Sequence, residues 1–266
     1  MRADHRARHL RTERYGPGLF SSILEAPALA RAVRPGQFAM LEIPGRVRPY
    51  LRRAYSIADA RPESGDVEFL VKTIGAGTAA LEDLPPGSAV RLLGPLGNAF
   101  SLDGLPRGAR VAIVAGGIGA APFPLLLRAL ANAGITGDFF LGGRGEKDLA
   151  FRRRFDGLVN GRTHLASDDG SLGEKGFVTE VFGSQARRTA YARVFACGPM
   201  PMFRALAKVT SERRLPAEFS TEADMGCGFG VCLGCVIPAV QADKPFLVSC
   251  TEGPILPPEK IAWERL

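Results

Sequence analysis

The sequence has no apolar run approaching the roughly 20 residues that a membrane-crossing helix needs, so no membrane span is expected. Its start, Met1 to Arg14, is rich in arginine and lacks the apolar core of a secretory signal, which makes the cytoplasm the expected location. Internal repeats and low-complexity tracts are missing. With 46% hydrophobic and 23% charged residues, long disorder and collagen-like structure are excluded. The net charge is +7, yet no basic group interleaves with aromatics. Arg2–Arg14 and Arg152–Arg154, the densest groups, therefore read as solvated faces, and no nucleic-acid partner is expected. The five cysteines are an odd number, which argues against a disulfide framework.

Those cysteines are the sharpest signal present. Cys227, Cys232 and Cys235 are spaced C-x4-C-x2-C, and Cys250 follows after a further fourteen residues. This is the plant-type spacing in which four thiolates hold a [2Fe–2S] cluster. Gly226, Gly228, Gly230 and Gly234 let a loop wrap closely and aim N–H groups at sulfur. A structural zinc site is the alternative, but it usually shows two short knuckles, and Cys235 and Cys250 form none.

Two larger units precede the cysteines. Up to about residue 101, short strands are expected at Phe20–Leu24, Phe38–Ile43, Ala54–Ile57, Val67–Lys72 and Ala89–Leu93. Turns such as Arg34-Pro35-Gly36, Ile43-Pro44-Gly45 and Pro85-Pro86-Gly87 separate them. This predicts an antiparallel barrel or sandwich, with a short helix at Ala79–Leu84. From about residue 108, apolar strands at Val111–Ala115, Gly137–Leu141, Thr163–Ala166 and Arg193–Ala196 alternate with helices at Ala121–Ala133, Val178–Phe182 and Met200–Arg213. That alternation predicts a parallel sheet covered on both faces.

Gly116-Gly117-Ile118-Gly119 follows a buried strand and opens a helix, where free N–H groups suit a pyrophosphate or simply a tight packing turn. Gly75-Ala76-Gly77-Thr78 offers a second such loop. Cys197-Gly198-Pro199 ends the last sheet strand, on the edge where open α/β sheets bind ligands.

Arg53-Ala54-Tyr55-Ser56, Gly75-Ala76-Gly77-Thr78, Gly94-Pro95-Leu96-Gly97, Gly116-Gly117-Ile118-Gly119 and Cys197-Gly198-Pro199-Met200 occur in this order. Together they resemble the ferredoxin–NADP reductase superfamily of flavoproteins. The cysteine tail, with Pro35-Gly36-Gln37-Phe38 and Asp168-Asp169-Gly170-Ser171, is similar to the electron-transfer subunits of NAD-dependent (type 1B) dihydroorotate dehydrogenase. The resemblance implies three units: an FAD-binding β-barrel at 1–103, an NAD-binding α/β domain at 104–215 and a [2Fe–2S] module at 216–266. It implies that Arg53 pairs with the FAD pyrophosphate, Tyr55 lies against the isoalloxazine, and Ser56 serves its N5. Ile57 and Lys72 flank the flavin, and Gly75, Gly77 and Thr78 hold its phosphates. Gly117, Gly119, Cys197, Gly198 and Pro199 line the nicotinamide nucleotide site, with Cys197 and Ser56 nearest the chemistry. Cys227, Cys232, Cys235 and Cys250 are the cluster ligands.

The implied activity is electron transfer from NAD(H) through FAD and the [2Fe–2S] cluster. The implied partner is an FMN-containing dihydroorotate dehydrogenase catalytic subunit, in a heterotetramer. A sulfhydrogenase-type subunit with another partner shares the same motifs. The fifty-odd tail residues are too few for a full ferredoxin domain, so the cluster itself is expected to hold the tail together. Arg144 and Arg162 offer a 2′-phosphate some positive charge, but Asp168 and Asp169 oppose it. NADH is therefore expected over NADPH.

Overall fold

The computed structural model describes residues 2–43 and 51–266. Pro44 and Gly45 of the turn expected after Ile43 lie outside the described residues, as does Met1.

The first unit is a seven-stranded antiparallel half-barrel. Its strands are β1 (Ala3–Gly16), β2 (Leu19–Glu25), β3 (Phe38–Glu42), β4 (Arg53–Ser56), β5 (Asp59–Arg61), β6 (Asp66–Lys72) and β7 (Ala89–Leu96). The order is β4-β3-β7-β1-β2-β6-β5. Inward residues Phe20, Leu24, Leu41, Phe69 and Leu92 fill its core. Two short helices flank it, α1 (Pro27–Ala32) and α2 (Ala76–Glu82). The second helix starts three residues before the expected Ala79, because Thr78 Oγ1 accepts the N–H groups of Ile74 and Gly75 and so organises the first turn.

The Arg-rich start is not merely a solvated face. It forms β1, the longest strand, which pairs with both β2 and β7. Arg6 and Arg8 point outward while Ala7 and His9 are buried. The period-2 pattern is present, but its inward residues are small or polar, so no apolar alternation marks it in the sequence.

The second unit is a seven-stranded sheet. Its strands are β8 (Arg110–Gly116), β9 (Thr136–Gly143), β10 (Thr163–Ser167), β11 (Glu174–Lys175), β12 (Val194–Cys197), β13 (Ala217–Ser220) and β16 (Ile255–Leu256); β14 and β15 belong to the tail described below. The order is β11-β10-β9-β8-β12-β13-β16, parallel except at its last strand. Along β8, Val111, Ile113 and Ala115 face α3 (Phe123–Asn132), whereas Ala112 and Val114 face α4 (Val178–Gln185) and α5 (Met200–Glu212). Burial on both faces explains the unbroken apolar runs. As expected, Met202, Phe203, Leu206 and Ala207 are the inward side of α5.

The tail adds a hairpin, β14 (Val236–Pro238) with β15 (Phe246–Val248), and the single turn α6 (Ser249–Glu252). It departs from expectation in two ways. The parallel sheet extends past the expected boundary at 215, since β13 pairs with β12 and β16 pairs with β13. Protein contacts also hold the tail directly. Ile237, Ala239, Leu247, Leu256 and Ile261 form a small core, and Trp263 packs on Phe203 and Phe219. Cys235 and Cys250 pack with Phe38, Met40 and Leu96 of the half-barrel.

The two large units meet through apolar packing of Leu19, Leu70 and Phe100 with Phe123 and Leu126. A buried ion-pair network reinforces this contact. Arg154 reaches Asp59 at 2.9 Å and Glu68 through both Nε and Nη2, and Arg128 donates to both oxygens of Asp59 at 3.0 Å. The Arg152–Arg154 run was expected to be a solvated face; Arg154 is a correction, because its side chain is only 13% exposed. Within the described residues, no helix is long and apolar enough to cross a membrane.

Candidate functional site

The three units enclose a continuous crevice. At one end, a cavity of about 1140 Å³ is walled by Leu51–Tyr55 of the half-barrel, by Ile74–Thr78, and by Ala223–Gly226 with Gly234 of the tail. It shares Tyr55, Thr78 and Met225 with a middle cavity of about 550 Å³, which adds Ser56, Val71, Lys72 and Glu222. Lys72, Ile118 and Glu222 in turn border a third cavity of about 620 Å³ at the carboxyl edge of the parallel sheet. Gly116–Gly119, Gly142, Gly143, Gly198 and Pro199 line that third cavity.

Local structure explains each placement. Arg53, Tyr55 and Ser56 belong to β4, an edge strand held on one side only, by β3. Its other side is thus free to face the crevice. Tyr55 packs edge-on to Phe69 across the half-barrel, while its hydroxyl is buried without a protein partner. Burial pushes that phenol up to about 12, although Arg53 works against the rise. An orphaned neutral hydroxyl in a large crevice is a site prepared for a ligand acceptor. The crevice, the Arg53 guanidinium and the first-turn N–H groups of Ala76 and Gly77 therefore fit a flavin dinucleotide.

The third cavity fits a second nucleotide. It lies beyond the strand ends, as ligand sites of open α/β sheets do. Asp168, Arg144, Phe177 and Asp148 border it. Lys72 links the units by an ion pair to Asp148 at 2.8 Å, and this pairing holds the Asp148 carboxyl below the usual range. Asp169 does not line the cavity, being turned into hydrogen bonds with Ser171. Arg162 is absent from it too and sits at the opposite edge of the sheet.

Two expected positions are corrected. Cys197 ends β12 as anticipated but is 2% exposed, and Gly198 and Pro199 form the cavity wall in front of it. Burial drives its thiol well above the ordinary value, and the nearby Glu222 carboxylate adds to this, so it carries no thiolate near neutrality. Ile57 is fully buried in the half-barrel core and does not line the crevice. Gly119 lines the third cavity as expected and serves packing as well: a Cβ there would stand 2.5 Å from the Cys197 carbonyl oxygen. Gly117, at φ +53°, faces open space and the cavity.

Glu222 is the residue that sequence reasoning left without a role. It borders both the middle and third cavities, and partial desolvation by the surrounding protein raises its carboxyl. A lone glutamate after a strand reads as solvated; Glu222 is indeed exposed, and only the meeting of the tail with the two larger units sets it between the two cavities.

The four tail thiols form two pairs. Cys227 and Cys232 lie towards the surface, and Cys235 and Cys250 are buried. Cys227 Sγ accepts N–H groups from Phe229 and Cys232 at 3.5 Å, and Cys235 Sγ accepts that of Cys250 at 3.4 Å. Burial opposes ionisation of Cys227, but these donors bring its thiol down to about 6. Burial, with Cys235 alongside, lifts Cys250 to about 12. Among the described residues no three such side chains converge on a single metal ion. A tetrahedral zinc needs four ligands around one point. Two thiols per iron, with N–H donors on sulfur, fit a [2Fe–2S] cluster better. The loop bearing them borders the crevice through Met225, Gly226 and Gly234.

Comparison with known proteins agrees with this arrangement. Residues 222–262 match the iron–sulfur cluster binding domain of dihydroorotate dehydrogenase B. Residues 19–100 match an oxidoreductase FAD-binding domain, and residues 113–208 an oxidoreductase NAD-binding domain. The chain is 36% identical to the dihydroorotate dehydrogenase B (NAD(+)) electron transfer subunit of Desulforamulus reducens, over 93% of this chain and 94% of that one. It is 36% identical to the subunit of the same name from Bacillus caldolyticus, over 84% of each. Among solved structures, an NADH-dependent reduced ferredoxin–NADP oxidoreductase superposes with a TM-score of 0.85 at 25% identity, covering 97% of this chain and 90% of the other. The ferredoxin reductase of carbazole 1,9a-dioxygenase shares the fold at a TM-score of 0.70 and 24% identity, covering 82% and 69%.

Proposed function

Because the chain belongs to the family of dihydroorotate dehydrogenase B electron transfer subunits, we propose that it carries electrons between NAD(H) and a catalytic partner through FAD and a [2Fe–2S] cluster. When bound, the nicotinamide supplies or accepts a hydride, the flavin exchanges two electrons for single ones, and the cluster relays them. With the partner, the balanced reaction is dihydroorotate plus NAD+ giving orotate, NADH and a proton.

The residues of this chain bind, orient and shield. Arg53 neutralises the flavin pyrophosphate, and Gly75, Gly77 and Thr78 hold it. Tyr55 and Ser56 fix the ring from β4, with Lys72 at the boundary to the second nucleotide. Gly117, Gly198 and Pro199 shape the nicotinamide side. Cys197 acts from behind that wall as packing, without moving a proton. Cys227, Cys232, Cys235 and Cys250 ligate the cluster. Asp168 at the cavity and the remoteness of Arg162 support NADH over NADPH. The working division is 1–103, 104–215 and 216–266, with β13 and β16 lent to the middle sheet. Four cysteines at cluster spacing, rather than a disulfide framework, support a cytoplasmic location.

One observation carries the reading: a single crevice runs from the sheet edge, past Tyr55, to the loop of Cys227–Cys235. The test co-expresses the tagged chain with an FMN-containing dihydroorotate dehydrogenase subunit. A stable complex, a heterotetramer by mass, in which dihydroorotate reduces NAD+ is expected. A chain that oxidises NADH but neither binds that subunit nor supports the reaction overturns the pyrimidine assignment and favours a hydrogenase-type partner. Cys232→Ser is expected to keep NADH oxidation with a dye acceptor and to lose reduction of the partner.

A further inference from the structure

The amino-terminal edge of the parallel sheet carries a second cavity that the electron path does not use. It measures about 410 Å³ and is lined by Arg110, Asp138, Arg162, His164 and Arg188, with Gln185 and Thr189. Arg110 opens β8, whereas the nucleotide cavity begins at Gly116, the last residue of that strand. Seven residues of strand separate the two by roughly 20 Å.

The cavity is built around one buried carboxylate. Asp138 is 2% exposed and accepts Arg110 Nη1 at 2.7 and 2.9 Å, the Tyr191 hydroxyl at 2.9 Å and the Arg162 backbone N–H at 2.8 Å. Its charge is thus fully committed to the protein. Arg110 spends a single nitrogen on it, which leaves Nε and Nη2 of an exposed fork without a protein acceptor among the described residues. The guanidinium groups of Arg162 and Arg188 form no ion pair among the described residues and are exposed. His164 lies flat on Phe140, with centroids 4.5 Å apart, so its ring is fixed at the cavity wall.

Opposing charges are Asp138, Glu174 near His164 and the carboxyl end of α4. That helix end contributes about half a unit of negative charge, and its last carbonyls are capped by the N–H groups of Ala186, Arg187 and Arg188. Three guanidinium groups outweigh these. Planar guanidinium forks that border one concave space can meet phosphate oxygens in pairs. The volume exceeds that of a bare phosphate and falls in the range of small-metabolite sites.

We propose that this cavity binds a phosphate-bearing small molecule, held by Arg110, Arg162 and Arg188 at the edge of the sheet opposite the nucleotide site. The test uses the FAD- and cluster-loaded chain, saturated with NAD+ to fill the crevice. Inorganic phosphate and a nucleoside monophosphate are titrated by calorimetry, with chloride at matched ionic strength as control. Saturable binding at one site is expected, weakened about tenfold for each arginine removed in Arg162→Ala and Arg188→Ala. Arg188→Lys is expected to fall between, since charge remains without the fork. NADH oxidation by these surface variants stays at the parent level. Tighter saturation by the nucleotide assigns the site to phosphate esters, and saturation by inorganic phosphate alone assigns it to the free ion. Heat that fails to saturate, equals the chloride control, or is unchanged in the double variant overturns the proposal.

Discussion

Gly75-Ala76-Gly77-Thr78 and Gly116-Gly117-Ile118-Gly119 look alike along the chain but differ in what surrounds them. At Gly75, a Cβ would meet nothing within 4 Å, and its extended backbone suits any residue. At Gly119, it would strike the Cys197 backbone at 2.5 Å, and at Gly116 it would strike Pro199 at 2.6 Å. The half-barrel loop is open on its crevice side. The sheet loop is closed at Gly116 and Gly119 because two strand ends touch there, while Gly117 faces open space. Close packing of the protein therefore demands glycine in the sheet loop, whereas at Gly75 the protein itself leaves room for a side chain.

The largest effect is expected at the joint between the regions that carry these loops. Arg154→Met strips Glu68 and Asp59 of a buried partner, at a cost of about 4 kcal/mol, and Tm falls by roughly 10 °C in a thermal melt. Burial alone would raise the Glu68 carboxyl, but Arg154 and Ser21 hold it below the usual range. A depressed carboxyl contributes stability above its unfolded value, about 4.3, and loses it as pH falls towards its folded value. On acidification from about pH 5 to about pH 3, across the unfolded value and towards the folded one, the parent chain is expected to lose more Tm than Arg154→Met. Equal losses would show that the joint is not electrostatic.

Gly119→Ala comes next. Forcing a methyl group onto backbone costs about 3 kcal/mol, and Tm falls by roughly 6–12 °C. The companion variant, Gly75→Ala, is expected to leave Tm within about 1 °C, and equal losses for the two would erase the contrast between the loops. On the ligand side, Arg53→Ala is expected to weaken FAD retention by about 10- to 100-fold, read by gel filtration and flavin absorbance, through loss of a charge-assisted bond. Its Tm without flavin is expected to match the parent's. The smallest effect is expected for Asp168→Asn, which raises the NADPH-to-NADH ratio of kcat/KM a few-fold by removing one repulsive charge. An unchanged ratio would take Asp168 out of nucleotide selection.

Much of the fold was legible in the chain. β8 and β12 announced themselves as continuous apolar runs because both of their faces are covered, and α5 showed its inward Met202, Phe203, Leu206 and Ala207 at helical spacing. The strand β1 was hidden because its inward positions are Ala7 and His9 rather than branched apolar residues. Arg154 looked solvated because its acidic partners, Asp59 and Glu68, lie some ninety residues away on another unit. Glu222 gave no signal because its place between the two cavities comes from the tail folding back.

Local chemistry along the chain determined the thiol spacing of the C-x4-C-x2-C loop, the β4 signature Arg53-Ala54-Tyr55-Ser56, and the switch from period-2 strands to alternating strands and helices. Such features need only neighbours in sequence, because spacing and backbone freedom are local properties. Tertiary structure alone decided that Cys197 sits behind the cavity wall, that Gly119 serves packing, and that the tail shares a sheet with the middle unit. It also gathered Arg110, Arg162 and Arg188 at the far edge of that sheet. Burial and charge pairing depend on what arrives from distant segments, so composition and spacing carry no record of them.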